Sequence, residues 1–178
     1  MAIAYHGTAA LFSQFDPSHL LEGEGNFKFG VGAYLTSRYE TAVLYSGKTG
    51  SKVRYVYTVE IPELTEDNHL VSRLSVNPAI VRRAEEKLGE PIPAEACVRG
   101  KFFRKYIGNR LIGFGNTLKQ RIGSASLEAE KAASAFLPAI GVILLVWPTS
   151  QTKPEAGNNY ALMDYSAFKI LKVDKIEE

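Results

Sequence analysis

The nine residues Val53-Arg-Tyr-Val-Tyr-Thr-Val-Glu-Ile alternate with period two and stop at Pro62, a pattern that specifies a β-strand. A strand of that length needs hydrogen-bonded neighbours, so the chain must hold a sheet. Other strand candidates are Ala2–Tyr5, which runs into the turn-permitting His6-Gly7-Thr8, and Val31–Thr36. Gly141–Trp147 reads as a buried strand bounded by Pro148, and Tyr160–Met163 and Phe168–Val173 as two more, with Asp164 capping the turn between them. Helical signals fall between these runs. Ser37 is the expected N-cap of a helix over Arg38–Tyr45, ended by Gly47 and Gly50. Asn77-Pro78 opens another that stops at Gly89. The segment after Cys97 reads as a broken helix and loop, and Ser126 caps a helix through Phe136.

With 178 residues, a sizeable core is available. No repeat, low-complexity tract or long linker divides the chain, so one α+β domain over residues 1–178 is expected, with a basic helical insertion at about 75–123. Residues 16–32, with Asp16, Pro17 and glycines 23, 25, 30 and 32, form a connection able to close over a ligand, and Thr149–Asn158 a polar hairpin-like loop. The apolar stretch Phe136–Trp147 is twelve residues, too short for a bilayer span of roughly 20. The first residues show neither a basic leader nor an apolar core of a signal segment. One cysteine, Cys97, excludes an internal disulfide framework, and histidines 6, 19 and 69 lack the spacing of common metal motifs. His19 and His69 read as loop residues. A reduced, metal-free, cytoplasmic monomer is the expectation.

Net charge is +2, but its distribution is uneven. Ala96–Leu127 has no acidic residue and carries +7, leaving −5 for the rest. Arg99, Lys101, Arg104 and Lys105 interleave with Phe102, Phe103 and Tyr106, a mixture suited to an acidic protein surface, a nucleic acid or a nucleoprotein.

Three separated pieces carry a family signal: Tyr5-His6-Gly7-Thr8, then Gly30-Val-Gly-Ala-Tyr34 with Tyr45 eleven residues on, then Asn158-Asn159-Tyr160-Ala-Leu-Met-Asp164. Their order resembles the diphtheria-toxin-like and poly(ADP-ribose) polymerase-like ADP-ribosyltransferases. The resemblance implies an ADP-ribosyltransferase fold in which two small packed antiparallel or mixed β-sheets form a split NAD-binding core with flanking helices. It implies that His6 holds the adenine-side ribose, that the backbone of Gly7 beside Thr8 meets the nicotinamide amide, and that Tyr34 and Tyr45 sandwich the nicotinamide ring. A neutral histidine offers one donor and one acceptor to hydroxyls, and a cationic ring over an aromatic face gains about 0.5–2 kcal/mol.

One position departs from the family. Asn159 stands where the family has the glutamate that binds the nicotinamide ribose and stabilises positive charge as nicotinamide leaves, in an oxocarbenium-like transition state. Glu155, four residues upstream, is the carboxylate available to replace it. Because the family glutamate accompanies chain elongation, its absence implies transfer of a single ADP-ribose to a protein or nucleic-acid acceptor, with NAD consumed as a substrate. The format fits a bacterial or phage effector, toxin or anti-defence enzyme acting in the producing cell or a target host cell. The alternatives are an NAD- or ADP-ribose-binding module that works through its basic surface, and an NAD glycohydrolase with water as acceptor. No glycine fingerprint of a hydride-transfer dehydrogenase is present.

Overall fold

The computed structural model describes residues 1–19 and 27–177, so Gly23 and Gly25 of the expected connection lie outside the described residues. The strands are β1 (Ala2–Thr8), β2 (Ala33–Thr36), β3 (Val53–Ile61), β4 (His69–Val71), β5 (Leu144–Pro148), β6 (Asn158–Leu162) and β7 (Lys169–Glu177). Among the described residues they join one mixed sheet in the order β4-β5-β6-β2-β1-β3-β7, with β4 and β5 parallel. This corrects the expectation of two small packed sheets forming a split core. Strand pairing is non-local, and it links every strand edge to edge in place of stacking one group on another. The join between β1 and β2 consists of the single residue pair Tyr5↔Thr36, whereas β1 pairs with β3 along its whole length.

The chain clusters into two compact units. The first draws on Met1–Asn26, Gly32–Leu64 and Trp147–Glu178. At its centre β3 carries out its alternation: Tyr57, Val59 and Ile61 are buried on one face, and Arg54, Thr58 and Glu60 share the other with Val56. Helix α1 (Tyr39–Ser46) lies on the Val56 face, against β1. Ser37 does not cap it. Arg38 is the N-cap, without a side-chain bond, and Ser37 instead links β2 to β6, donating its N–H to the Asn158 carbonyl at 2.9 Å and accepting from the Asn158 N–H at 3.0 Å. Asp164 caps the turn before β7, its carboxylate accepting from the Ser166 N–H at 3.1 Å.

The second unit comprises Phe27–Val31 and Thr65–Val146. It holds α2 (Pro78–Leu88), α3 (Ala94–Cys97), α4 (Gly100–Leu111), α5 (Leu118–Gly123) and α6 (Leu127–Ala139). Asn77 caps α2 through the Ala79 N–H at 2.8 Å, and Ser126 caps α6 through the Ala129 N–H at 3.2 Å. Phe103 and Ile107 of α4 and Ala133 and Leu137 of α6 are buried in its core. His69, expected in a loop, is the first residue of β4, which pairs with β5 from His69↔Leu144 to Val71↔Val146.

Candidate active site

Of the residues matched to the family motif, Gly30 and Val31 fall in the second unit and the others in the first. Pairing places them. Thr36 sits opposite Asn159 and Tyr34 opposite Ala161, so Tyr34 and Asn159 share one face of the β2–β6 pair. Tyr5 is opposite Thr36 and lies on that same face, and its ring meets Tyr39 of α1 edge-on at 5.6 Å. The face is therefore the one α1 covers, and α1 delivers Tyr45 to it.

Asn159 is only 7% exposed and both ends of its amide are engaged. Its Oδ1 accepts from the Thr149 hydroxyl at 3.2 Å, and its Nδ2 donates to the Tyr45 hydroxyl at 3.1 Å. The second tyrosine and the asparagine at the family's glutamate position are thus in direct contact. The Lys48 ammonium lies over the Tyr45 ring, 4.5 Å from its centroid, and Trp147 meets the Tyr34 ring at 5.4 Å. Lys48, Thr149 and Trp147 were not singled out from sequence. Lys48 is three residues from Tyr45 and so was open to a helical-spacing argument, whereas Thr149 and Trp147 reach the site only through strand pairing.

His6 follows Tyr5 along β1 and its ring turns to the opposite face, among Phe12, Phe15, Tyr57 and Phe168 at 6.0–6.5 Å. Its Nδ1–H donates to the Tyr34 carbonyl at 2.7 Å, spanning the join where β1 and β2 have ceased to pair. Burial among rings holds the imidazole below its usual pKa, against the smaller opposing effect of that hydrogen bond, so His6 is neutral at pH 7. With the proton on Nδ1, Nε2 is an acceptor.

Gly7 has a structural reason of its own: an added Cβ would collide with the Ala42 carbonyl of α1. The Thr8 hydroxyl accepts from the Ala10 N–H at 3.1 Å and shapes the turn after β1. Glu155 lies on a 3-10 turn before β6 with its side chain exposed, while its carbonyl accepts from Arg38 Nη1 at 2.8 Å.

The expected target-binding cations separate into two kinds. Arg104 is 3% exposed and pairs with Glu130, Nε to Oε2 at 2.8 Å and Nη2 to Oε1 at 3.3 Å. Its charge serves the interior and is not presented to a target, which corrects that assignment. Lys105 reaches the Gly123 carbonyl at 3.0 Å, and burial pulls its ammonium below the usual lysine range. Arg99 is exposed and Lys101 half-buried, both set over the Phe102 ring.

Among the described residues, no cluster of three or more His, Cys, Asp or Glu is placed to hold a metal ion, and no helix is long and apolar enough to cross a membrane. Comparison with known proteins found no matching family model, no matching curated protein and no matching solved structure.

Proposed function

We propose that the chain is a mono-ADP-ribosyltransferase that consumes NAD as a substrate and transfers ADP-ribose to a macromolecular acceptor. The observation that carries the reading is the 3.1 Å contact between Asn159 and Tyr45, residues 114 apart that the family motif assigns to one nicotinamide site. The surrounding groups suit such a ligand. The Tyr45 ring already accepts the cation of Lys48 on its face, which is the contact a nicotinamide ring would make once Lys48 moves aside. His6, whose ring lies on the opposite face of the sheet among Phe12, Phe15, Tyr57 and Phe168, is not one of these groups and reaches the site only through its Nδ1–H bond to the Tyr34 carbonyl. In the reaction, the glycosidic bond to nicotinamide breaks and the ring leaves with the bonding pair. An acceptor nucleophile then bonds to the anomeric carbon and releases its proton to solvent. Asn159 can orient the 2′-hydroxyl but supplies no negative charge, and losing one preorganised electrostatic group costs roughly 10²–10³ in rate. A slow transferase follows, unless Glu155 swings in its carboxylate.

The test is incubation with NAD labelled in its adenylate half and a cell lysate. Slow nicotinamide release with label on a macromolecule is expected, faster in Asn159→Glu by about 10²-fold. If Glu155 supplies the charge, Glu155→Ala is severe and Asn159→Ala mild, and equal activity in those two variants rejects both roles. Absence of both nicotinamide release and transferred label overturns the enzymatic reading. The full engagement of the Asn159 amide favours a second reading, a module that binds NAD or ADP-ribose without turnover. Calorimetric NAD binding with no nicotinamide release would select it.

A further inference from the structure

Within the second unit, the segment after β4 is strapped to the start of α4. The Val76 N–H donates to the Cys97 carbonyl at 2.9 Å, the Gly100 N–H to Leu74 at 2.8 Å and the Lys101 N–H to Ser72 at 3.1 Å. Gly100 permits the approach, since a Cβ there would strike the Val71 carbonyl. These bonds bring Arg73 and Leu74 beside Val98, Arg99 and Lys101. Leu74 is 61% exposed and Val98 53%.

Among the described residues, no carboxylate neutralises the cations there. Arg83 is paired with Asp67, Arg110 with Glu90 and Arg104 with Glu130, but among the described residues Arg73, Arg99 and Lys101 form no ion pair. The α4 amides are also spoken for: besides Gly100 and Lys101, the Phe102 and Phe103 N–H groups donate to the Arg99 carbonyl. Positive potential on this face therefore comes from side chains, next to aliphatic surface.

That chemistry selects its occupant. Base stacking needs open aromatic faces, yet Phe102 lies under Arg99 and Lys101, at 5.5 and 5.4 Å, while Phe103 and Tyr106 are buried. What remains open is aliphatic and cationic. We infer that the Arg73–Leu74 and Val98–Lys101 face docks an acidic protein segment carrying aliphatic side chains, the carboxylates meeting Arg73, Arg99 and Lys101 and an apolar side chain covering Leu74 and Val98. This docking does not depend on NAD chemistry.

The probe is a fluorescein-labelled peptide of alternating glutamate and leucine, titrated with the full chain in the absence of NAD and read by anisotropy. Binding that weakens with added salt is expected. It should fall at least about tenfold in Arg99→Glu/Lys101→Glu and in Leu74→Ser/Val98→Ser, with circular dichroism unchanged. Arg99→Gln/Lys101→Gln serves if charge reversal disturbs the start of α4. A glutamine-leucine peptide should not bind. Equal binding by the parent and both double variants overturns the proposal. So does tighter binding of oligothymidine through the same residues, which assigns the face to nucleic acid, or self-association abolished by the same variants, which assigns it to a second copy. Because the assay holds no NAD, each of these failures leaves the transferase reading standing.

Discussion

The side-chain amide of Asn159 donates to the Tyr45 hydroxyl at 3.1 Å and accepts from Thr149 at 3.2 Å, so a buried strand residue fixes the orientation of a helix tyrosine. Tyr45→Phe leaves a buried amide N–H without its partner, at a cost of about 1–3 kcal/mol. Tyr45→Phe and Asn159→Ala should be non-additive, since the second change removes the group that the first strands. Urea denaturation of the single and double variants measures the coupling, and strict additivity would mean that the contact carries no energy.

A second buried pair is held more tightly. Arg104 and Glu130 are each 3% exposed, and Arg104 also donates to the Lys28 carbonyl at 3.2 Å. Burial pushes the Glu130 carboxyl up, and its contacts with Arg104 work in the opposite direction. Arg104→Met alone should cost about 3–5 kcal/mol by leaving an uncompensated buried carboxylate, and Arg104→Met/Glu130→Leu should recover most of that loss. Denaturant midpoints decide, and a double variant as unstable as the single would contradict the pairing argument.

His6 gives the fold a pH dependence with a definite sign. Its folded pKa lies below 6.5, so between that lowered value and 6.5 the unfolded chain binds more protons than the folded one and stability rises with pH. The contribution is complete above 6.5 and is lost on acidification, with a slope of at most about 1.4 kcal/mol per pH unit for one proton. His6→Gln should lack this component. Stability differences between the parent chain and His6→Gln, measured from pH 7.5 down to about 5, should shrink or reverse as pH falls; a difference that does not vary with pH would refute the assignment.

Glycine substitutions should divide sharply. A methyl at Gly7 would collide with the Ala42 carbonyl of α1, so Gly7→Ala should cost at least the roughly 1–3 kcal/mol of ordinary overpacking. At Gly123 in α5 an added Cβ meets nothing within 4 Å and no positive φ is required. Gly123→Ala should be neutral or stabilising by about 0.4–1 kcal/mol. Thermal denaturation of the two variants separates a packing requirement from backbone freedom.

Where a local signal was complete, the sequence was readable. β3 spans the alternating run Val53–Ile61, and α2 runs from the Asn77 cap to Gly89, because period, cap and stop all lie within a few residues of one another. What escaped was non-local. β4 has three residues and exists through its parallel register with β5, and Ser37, a good cap by residue type, is drawn away by Asn158 across the β2–β6 pair. Arg104 stood in an acid-free run and looked like surface charge, but its partner Glu130 lies 26 residues downstream on α6. The two-sheet expectation came from the family resemblance and not from any residue pattern, and pairing along all seven strands replaces it. At the candidate site, Tyr34, Tyr45 and Asn159 were marked by type and order, whereas Thr149 and Trp147 became visible only with the contacts they make.

The interleaving of the two units sets an order of assembly. A ribosome delivers β1, β2, α1 and β3 first, then the whole of Thr65–Val146, and only afterwards β6 and β7. Until then β2 has no β6 on its outer edge, β3 has no β7, and Tyr45 has no Asn159. Nascent chains of this protein therefore carry two unsatisfied strand edges through synthesis of the helical stretch, which makes that interval the point at which mispairing and chaperone capture compete with folding.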